Sequence, residues 1–183
     1  MRLTPVDRPP TLLARLLFAA MRRLFGTVPT PYRVIFTRAP RTLLGHLGVV
    51  LTVDRRLTLD PELRLLLSTH VAALNGCTFC VDIARAVAVQ RHVPREKLAA
   101  LGDPARDHRL DDRERVALAY VEEVNARRGI SDTTFERVRR HFDETAIVEM
   151  TWLTAVENYF NLQNVALGIE SDGLCAIAER RAS

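Results

Sequence analysis

The chain has 183 residues, of which 48% are hydrophobic and 26% are charged. This composition is typical of a soluble globular protein and excludes wholesale disorder. The formal net charge is +4, but basic and acidic side chains are interleaved along the chain, so we predict no nucleic-acid partner.

The first 40 residues combine a proline-rich start, up to Pro10, with a predicted helix over residues 11–25. Arginines at positions 15, 22 and 23 interrupt the apolar runs of this helix, which are shorter than the ~20 residues that a membrane span requires. The segment also lacks the order of features that marks a secretory signal. We therefore predict no membrane span and a cytoplasmic location.

A second helix is predicted over residues 41–52, and the segment TLDPELRLLLSTHVAALNG predicts a third. Asp60 can cap this third helix, and Pro61 suits its first position. One face of the helix is formed by residues at helical spacing, which are Leu63, Leu66, Leu67, His70, Val71 and Leu74. We expect His70 to be a buried, hydrogen-bonded core histidine and Leu65 to point to the other side.

Asn75 and Gly76 predict the end of that helix, because glycine readily adopts the left-handed conformation found at helix C-termini. The next predicted helix runs from about residue 77 to residue 91, so Cys77 lies at its N-terminus and Cys80 in its first turn. The helix dipole and unpaired backbone N–H groups favour a thiolate at such a position. Two cysteines at this spacing can also close to a disulfide.

The C-terminal half is predicted to be helical as well, and no segment shows the alternation of a strand. The predicted helices include a short one over 95–101 and a last one over about 144–167, which ends at Gly168. Between them, Asp111 and Glu114 are spaced as a capping box and Ser131 is a predicted cap. The sequence therefore predicts a single all-α domain over residues 1–183. Within it, residues 1–40 form an N-terminal helix and lead-in, and the redox core lies at about 60–168.

Three interpretations of the cysteine pair stay open at this point. The pair can carry redox chemistry, it can consist of buried cysteines that act as small apolar residues, or it can belong to a zinc site. Zinc needs four ligands, and only His70 and His92 lie nearby in sequence, without the spacing of a second ligand pair. We predict no metal and no cofactor. His46 falls beside a loop with no visible partner.

The segment LNGCTFCVDIA resembles the signature of the carboxymuconolactone decarboxylase and alkylhydroperoxidase-D-like proteins, whose redox members read approximately L-N-x-C-x-x-C-x-x-x-H. The segment FGTVPTPYRVIFTRAPRTLLGHL resembles the lead-in of this family, and ISDTTFERVRRHFDETAIVEMTWLTAVENYFNLQNVALGI resembles its C-terminal helices. The resemblance thus extends over most of the chain.

The resemblance implies an all-helical fold that assembles into homo-oligomers such as dimers, trimers or hexamers. It also implies a peroxidase-like activity in which Cys80 attacks a hydroperoxide and Cys77 resolves the product as a disulfide. A dithiol reductant protein, dihydrolipoyl or thioredoxin-like, would then restore the pair. No cofactor is implied.

Two positions depart from the family pattern, because its glutamate falls on Leu65 and its histidine falls on Ala84. A site that keeps its thiols but lacks general acid–base help should be slower by about 10² to 10⁴, so we expect weakened activity. Glu62 and His70 are candidates for a displaced relay. The alternatives are a non-catalytic helical scaffold or small-ligand-binding protein with structural cysteines and, ranked last, a lactone decarboxylase.

Overall fold

The computed structural model describes residues 1–9 and 11–182, so Pro10 of the proline-rich start and Ser183 lie outside the described residues. The described residues form α-helices joined by turns and contain no strand, which confirms the predicted all-α fold. The helices are α1 (Leu12–Phe25), α2 (Leu43–Arg55), α3 (Pro61–Leu74), α4 (Thr78–Gln90), α5 (Arg95–Ala99), α6 (Asp112–Arg127), α7 (Asp132–Arg139), α8 (Glu144–Ala166) and α9 (Leu174–Ala182). A π-helical turn, Tyr32–Phe36, lies between α1 and α2.

Helix α3 begins and ends where the sequence predicts. The carboxylate of Asp60 accepts hydrogen bonds from two backbone N–H groups of the first turn, and Pro61 occupies the first helical position. At the other end, the helix stops at Leu74. Gly76 has a φ of +67°, a conformation that glycine adopts without the steric cost that a Cβ would add.

The predicted N-terminal signals of the later helices are also present. Asp111 and Glu114 form the capping box of α6 with reciprocal side-chain to backbone hydrogen bonds. Ser131 caps α7, as predicted. Asp143, which was not among the predicted caps, caps α8 by accepting from a backbone N–H of the first turn. These three helix starts are therefore encoded locally.

Helix α3 lies at the centre of the fold, with α4, α6 and α8 packed around it. Its buried residues join the main apolar core, and they include Leu63, Leu66, Leu67 and Val71. Leu65, on the other side of the helix, is buried as well, because α3 is covered by helices on several sides. Leu74 departs from the predicted apolar face, since it is 46% exposed at the helix end.

Helix α9 is the element that the sequence analysis missed, since it predicted no helix beyond Gly168. This helix packs against α4. The buried carboxylate of Asp82 on α4 accepts hydrogen bonds from the backbone N–H groups of Leu174 at 2.8 Å and Cys175 at 3.0 Å. The start of α9 is thus stabilised by a residue more than ninety positions away, which no local sequence signal reveals.

No described helix is both long and apolar enough to cross a membrane. The single-domain organisation and the boundaries near residues 40, 60 and 168 stay predictions.

Candidate functional site

The turn between α3 and α4 places the cysteine pair. The backbone N–H of Cys77 donates to the carbonyl of Ala72 at 2.9 Å, which folds the chain back just after Gly76. Cys77 is the N-cap of α4, and its Sγ accepts a hydrogen bond from the backbone N–H of Cys80 at 3.3 Å. The predicted positions of both sulfurs at a helix start are therefore confirmed.

Cys77 and Cys80 are joined by a disulfide, with their Cα atoms 5.3 Å apart. Only 1% of Cys77 and 6% of Cys80 is exposed. The pair lies in an apolar cluster that also contains Val34, Phe79 and Leu174. The sulfurs are thus close enough for a dithiol–disulfide cycle and are shielded from bulk water.

The side chain of Asn164 on α8 contacts both sulfurs. Its Nδ2 lies 3.3 Å from the Sγ of Cys80 and 3.8 Å from the Sγ of Cys77. Asn164 is 5% exposed, and its Oδ1 is a buried oxygen without a hydrogen-bond partner among the described residues. It is the polar side chain that the fold brings to the cysteine pair.

A network of asparagine side chains holds Asn75, the residue at the C-terminal end of α3. The Nδ2 of Asn75 donates to Asn161 Oδ1 at 2.8 Å, and the Oδ1 of Asn75 accepts from Asn125 at 2.9 Å. The Nδ2 of Asn158 donates to Asn125 Oδ1 at 2.7 Å. These amides tie the end of α3 to α6 and α8 and so fix the position of the α3–α4 turn.

Glu157 lies on the same face of α8 as Asn161 and Asn164, and the sequence analysis did not single it out. It is 8% exposed, and its Oε1 accepts a hydrogen bond from Asn161 Nδ2 at 2.8 Å. Burial raises the pKa of Glu157 to about 7, against the opposing effect of the hydrogen bond from Asn161. This carboxyl group therefore takes up or releases a proton near neutral pH.

The raised pKa predicts how stability depends on pH. The pKa of Glu157 is about 7 in the folded protein, above the ordinary value of 4.5, so the folded state binds more protons between these two values. The free energy of unfolding should fall as the pH rises through this window, by on the order of 3 kcal/mol. Urea unfolding at pH 5 and pH 8 should show a smaller fall for Glu157→Gln than for the parent protein. An equal fall in both would contradict this assignment.

The structure places the two candidate relay residues in other contacts. Glu62 pairs with Lys97 at 2.6 Å, and the same ammonium group binds Glu114 at 2.6 Å. His70 is buried, as predicted, and its Nε2 lies 3.5 Å from Glu122. Burial lowers the pKa of His70, although Glu122 acts in the opposite direction. These contacts do not bring Glu62 or His70 together with the cysteine pair, so their relay role stays a prediction.

His46 has the partner that the sequence did not reveal. Its Nε2 lies 3.0 Å from the hydroxyl of Tyr32, and its ring contacts those of Phe36 and Phe160. Burial lowers the pKa of His46 to about 4, and burial together with nearby Tyr159 raises the pKa of Tyr32 to about 12. Both groups are therefore neutral at physiological pH.

No group of three or more histidine, cysteine, aspartate or glutamate side chains in residues 1–9 and 11–182 is arranged to hold a metal ion. The zinc interpretation of the cysteine pair therefore gains no support from this part of the chain.

The comparisons with known proteins agree with the family resemblance and with the fold. Residues 39–123 match the model of the carboxymuconolactone decarboxylase family. The uncharacterised protein YnjA of Escherichia coli strain K12 is 33% identical over 183 residues, which cover 99% of this chain and 100% of YnjA. The likeness to YnjA therefore extends over the whole length of both proteins.

Two solved structures share the fold at low sequence identity. A peroxidase-related protein from Silicibacter sp. TM1040 has a TM-score of 0.79 and 20% identity, covering 91% of this chain and 89% of that chain. A variant of the debrominase Bmp8 in complex with 2,3,4-tribromopyrrole has a TM-score of 0.81 and 19% identity, covering 100% of this chain and 98% of that chain. These two likenesses show the fold. The family match and the relationship to YnjA lead to one conclusion: this chain belongs to the carboxymuconolactone decarboxylase family.

Proposed function

We propose that this protein is a thiol-dependent, peroxidase-like oxidoreductase that cycles Cys77 and Cys80 between dithiol and disulfide. The observation that carries the proposal is the disulfide itself, formed between the N-cap and the first turn of α4. The Sγ of Cys77 accepts the backbone N–H of Cys80, and both sulfurs lie at the positive end of the helix dipole, which favours the thiolate. The thiolate is the form that attacks a peroxide.

In the proposed cycle, the Cys80 thiolate attacks the distal oxygen of a hydroperoxide. An S–O bond forms, the O–O bond breaks, and the alkoxide takes up a proton and leaves as an alcohol. Cys77 then attacks the sulfur of the Cys80 sulfenic acid, so that the S–S bond forms and water leaves. The two electrons come from the cysteine pair, and a dithiol reductant protein returns them by thiol–disulfide exchange while it becomes a disulfide itself.

The path to Cys80 follows the side of α4 that is not fully covered. Ile83, Ala84 and Val87 share a helix face with Cys80, and all three are half-buried. A hydroperoxide that approaches along this face meets apolar side chains, which suits an organic hydroperoxide better than a charged one. The face carries no base, which is why we infer a weakened activity.

Assembly into homo-oligomers is part of the proposal, because two helices leave apolar side chains uncovered. The exposed large apolar residues of α1 are Leu12, Leu13, Leu16 and Leu24, and those of α8 are Val148, Tyr159, Leu162 and Val165. Apolar surface of this kind is typical of subunit contacts. We also infer a cytoplasmic location, where cellular dithiols keep cysteine pairs reducible.

The second candidate is a non-catalytic scaffold or small-ligand-binding protein. Leu65 and Ala84, at the two relay positions, favour it, because an apolar lining suits binding better than proton transfer. The near-complete burial of both sulfurs also fits cysteines with a structural role.

Titration with an organic hydroperoxide separates the two candidates. The reduced protein is treated with increasing cumene hydroperoxide, and the free thiols and the protein mass are followed by mass spectrometry. The peroxidase proposal predicts one intramolecular Cys77–Cys80 disulfide for each hydroperoxide consumed. Thiols that stay reduced, and that also fail to react with iodoacetamide in the native protein, would establish the scaffold instead.

A further inference from the structure

The amide of Asn164 is placed differently from those of its neighbours on α8. Asn158 donates to Asn125 and accepts from Asn75 and Arg128. Asn161 accepts from Asn75 and donates to Glu157. Asn164 instead directs its Nδ2 at the two sulfurs and leaves its Oδ1 buried without a partner among the described residues. A buried oxygen without a partner is unfavourable, so the contact of Nδ2 with the sulfurs is the polar interaction that distinguishes this amide.

The orientation fits the chemistry of the reduced pair. An amide N–H is a donor, and a hydrogen bond to a thiolate favours the charged form over the thiol. The Oδ1 is an acceptor, and a thiol S–H is a donor. The Nδ2–H of Asn164 can thus donate to the Cys80 thiolate across the observed 3.3 Å, whereas an amide oxygen in its place would stabilise only the protonated thiol.

We propose that Asn164 is a catalytic residue of the thiol site, whose amide holds the Cys80 sulfur in its thiolate form by donating a hydrogen bond to it. This inference rests on the proposed function and assigns to α8 a thiolate-stabilising contact that neither Leu65 nor Ala84 can make. The dipole of α4 and the amide of Asn164 then both favour the thiolate of Cys80. Asn164 supplies no proton transfer, so it stabilises the nucleophile without protonating the leaving group.

The test measures the reactivity of Cys80 without any peroxide. Reduced protein with Cys77→Ser, which keeps an oxygen at the N-cap, is alkylated with iodoacetamide across a pH series, and modification of Cys80 is quantified by mass spectrometry. Adding Asn164→Ala should raise the pKa of Cys80 by about one unit and slow alkylation about tenfold at pH values well below that pKa, where the thiolate is the minor form. Asn164→Asp, which is similar in shape, should slow it as well, because an ionised carboxylate cannot donate and repels the thiolate.

Gln163→Ala is the matched control, since this neighbouring amide donates to the carbonyl of Tyr159 instead, and it should leave the alkylation profile unchanged. Unchanged profiles for both Asn164 variants would overturn the assignment. Because alkylation does not require turnover, this result is distinguishable from a failure of the peroxidase proposal, which the hydroperoxide titration detects.

Discussion

The Cys80→Ser variant should consume an organic hydroperoxide no faster than buffer does. Serine cannot form the thiolate that attacks the O–O bond, and the remaining Cys77 is almost fully buried as the N-cap of α4. We expect the variant to lose all of its catalysed hydroperoxide consumption, because every later step of the cycle requires the nucleophile. Hydroperoxide consumption with a dithiol reductant in excess measures it.

Cys77→Ser is the matched control, and we expect it to stop the cycle at a later step than Cys80→Ser does. This variant keeps the nucleophile but lacks the resolving thiol, so it should react once and accumulate a sulfenic acid on Cys80 that dimedone traps. Serine also preserves the cap of α4, because serine is a preferred N-cap residue. If Cys80→Ser still consumes hydroperoxide at the parent rate, Cys80 is not the nucleophile.

The Ala84→His variant should raise the rate of hydroperoxide reduction by about 10²-fold, the lower end of what general acid–base catalysis contributes. Ala84 lies one helical turn after Cys80, and residues four apart on a helix are neighbours. The position is half-buried, so an imidazole fits there with access to solvent. Its proton can be passed to the alkoxide that leaves when the O–O bond breaks.

The rate gain of Ala84→His should depend on pH, since only a titrating side chain transfers the proton. The matched control is Ala84→Gln, which is polar and of similar size but does not titrate, and it should stay near the parent rate. A folded Ala84→His protein with the parent rate at every pH would show that proton transfer does not limit the reaction.

The sequence predicts much of the fold because many helix boundaries are encoded locally. Asp60 and Pro61 mark the start of α3, and Gly76 lies in the turn that follows its end. Asp111 and Glu114 mark the start of α6. Each of these signals acts within a few residues of the boundary that it sets. Helix α9 lacks such a signal, because its first turn is held by Asp82 on α4.

The same distinction between local and distant contacts applies to the candidate site. The positions of Cys77 and Cys80 at a helix start follow from the break at Asn75 and Gly76, which the sequence shows. Asn164 lies 84 residues from Cys80. In the sequence, Asn158, Asn161 and Asn164 recur every three residues along the last helix, and this spacing predicts only a polar stripe with structural hydrogen bonds. That interpretation is confirmed for Asn158 and Asn161, whereas Asn164 faces the sulfurs.

Buried polar residues away from the motif were missed for a related reason. The partner of Glu157 is Asn161 on the same helix, and the partner of His46 is Tyr32 on the π-helical turn. The burial of Glu157 and His46 depends on how the helices pack. The hydrophobic pattern of α8 marks its core face but does not show that a carboxyl group is enclosed there. The spacing between Glu157, Asn161 and Asn164 was the available signal.

The pKa of Cys80 in the reduced protein tests most directly whether a helix start and one amide can activate a thiol without a neighbouring histidine. It is obtained from the pH dependence of alkylation by iodoacetamide, with the modified cysteine assigned by mass spectrometry. We expect a value well below the ~8.5 of an unperturbed cysteine. A value at or above ~8.5 would contradict the proposed activation and would leave the protein as a helical scaffold with structural cysteines.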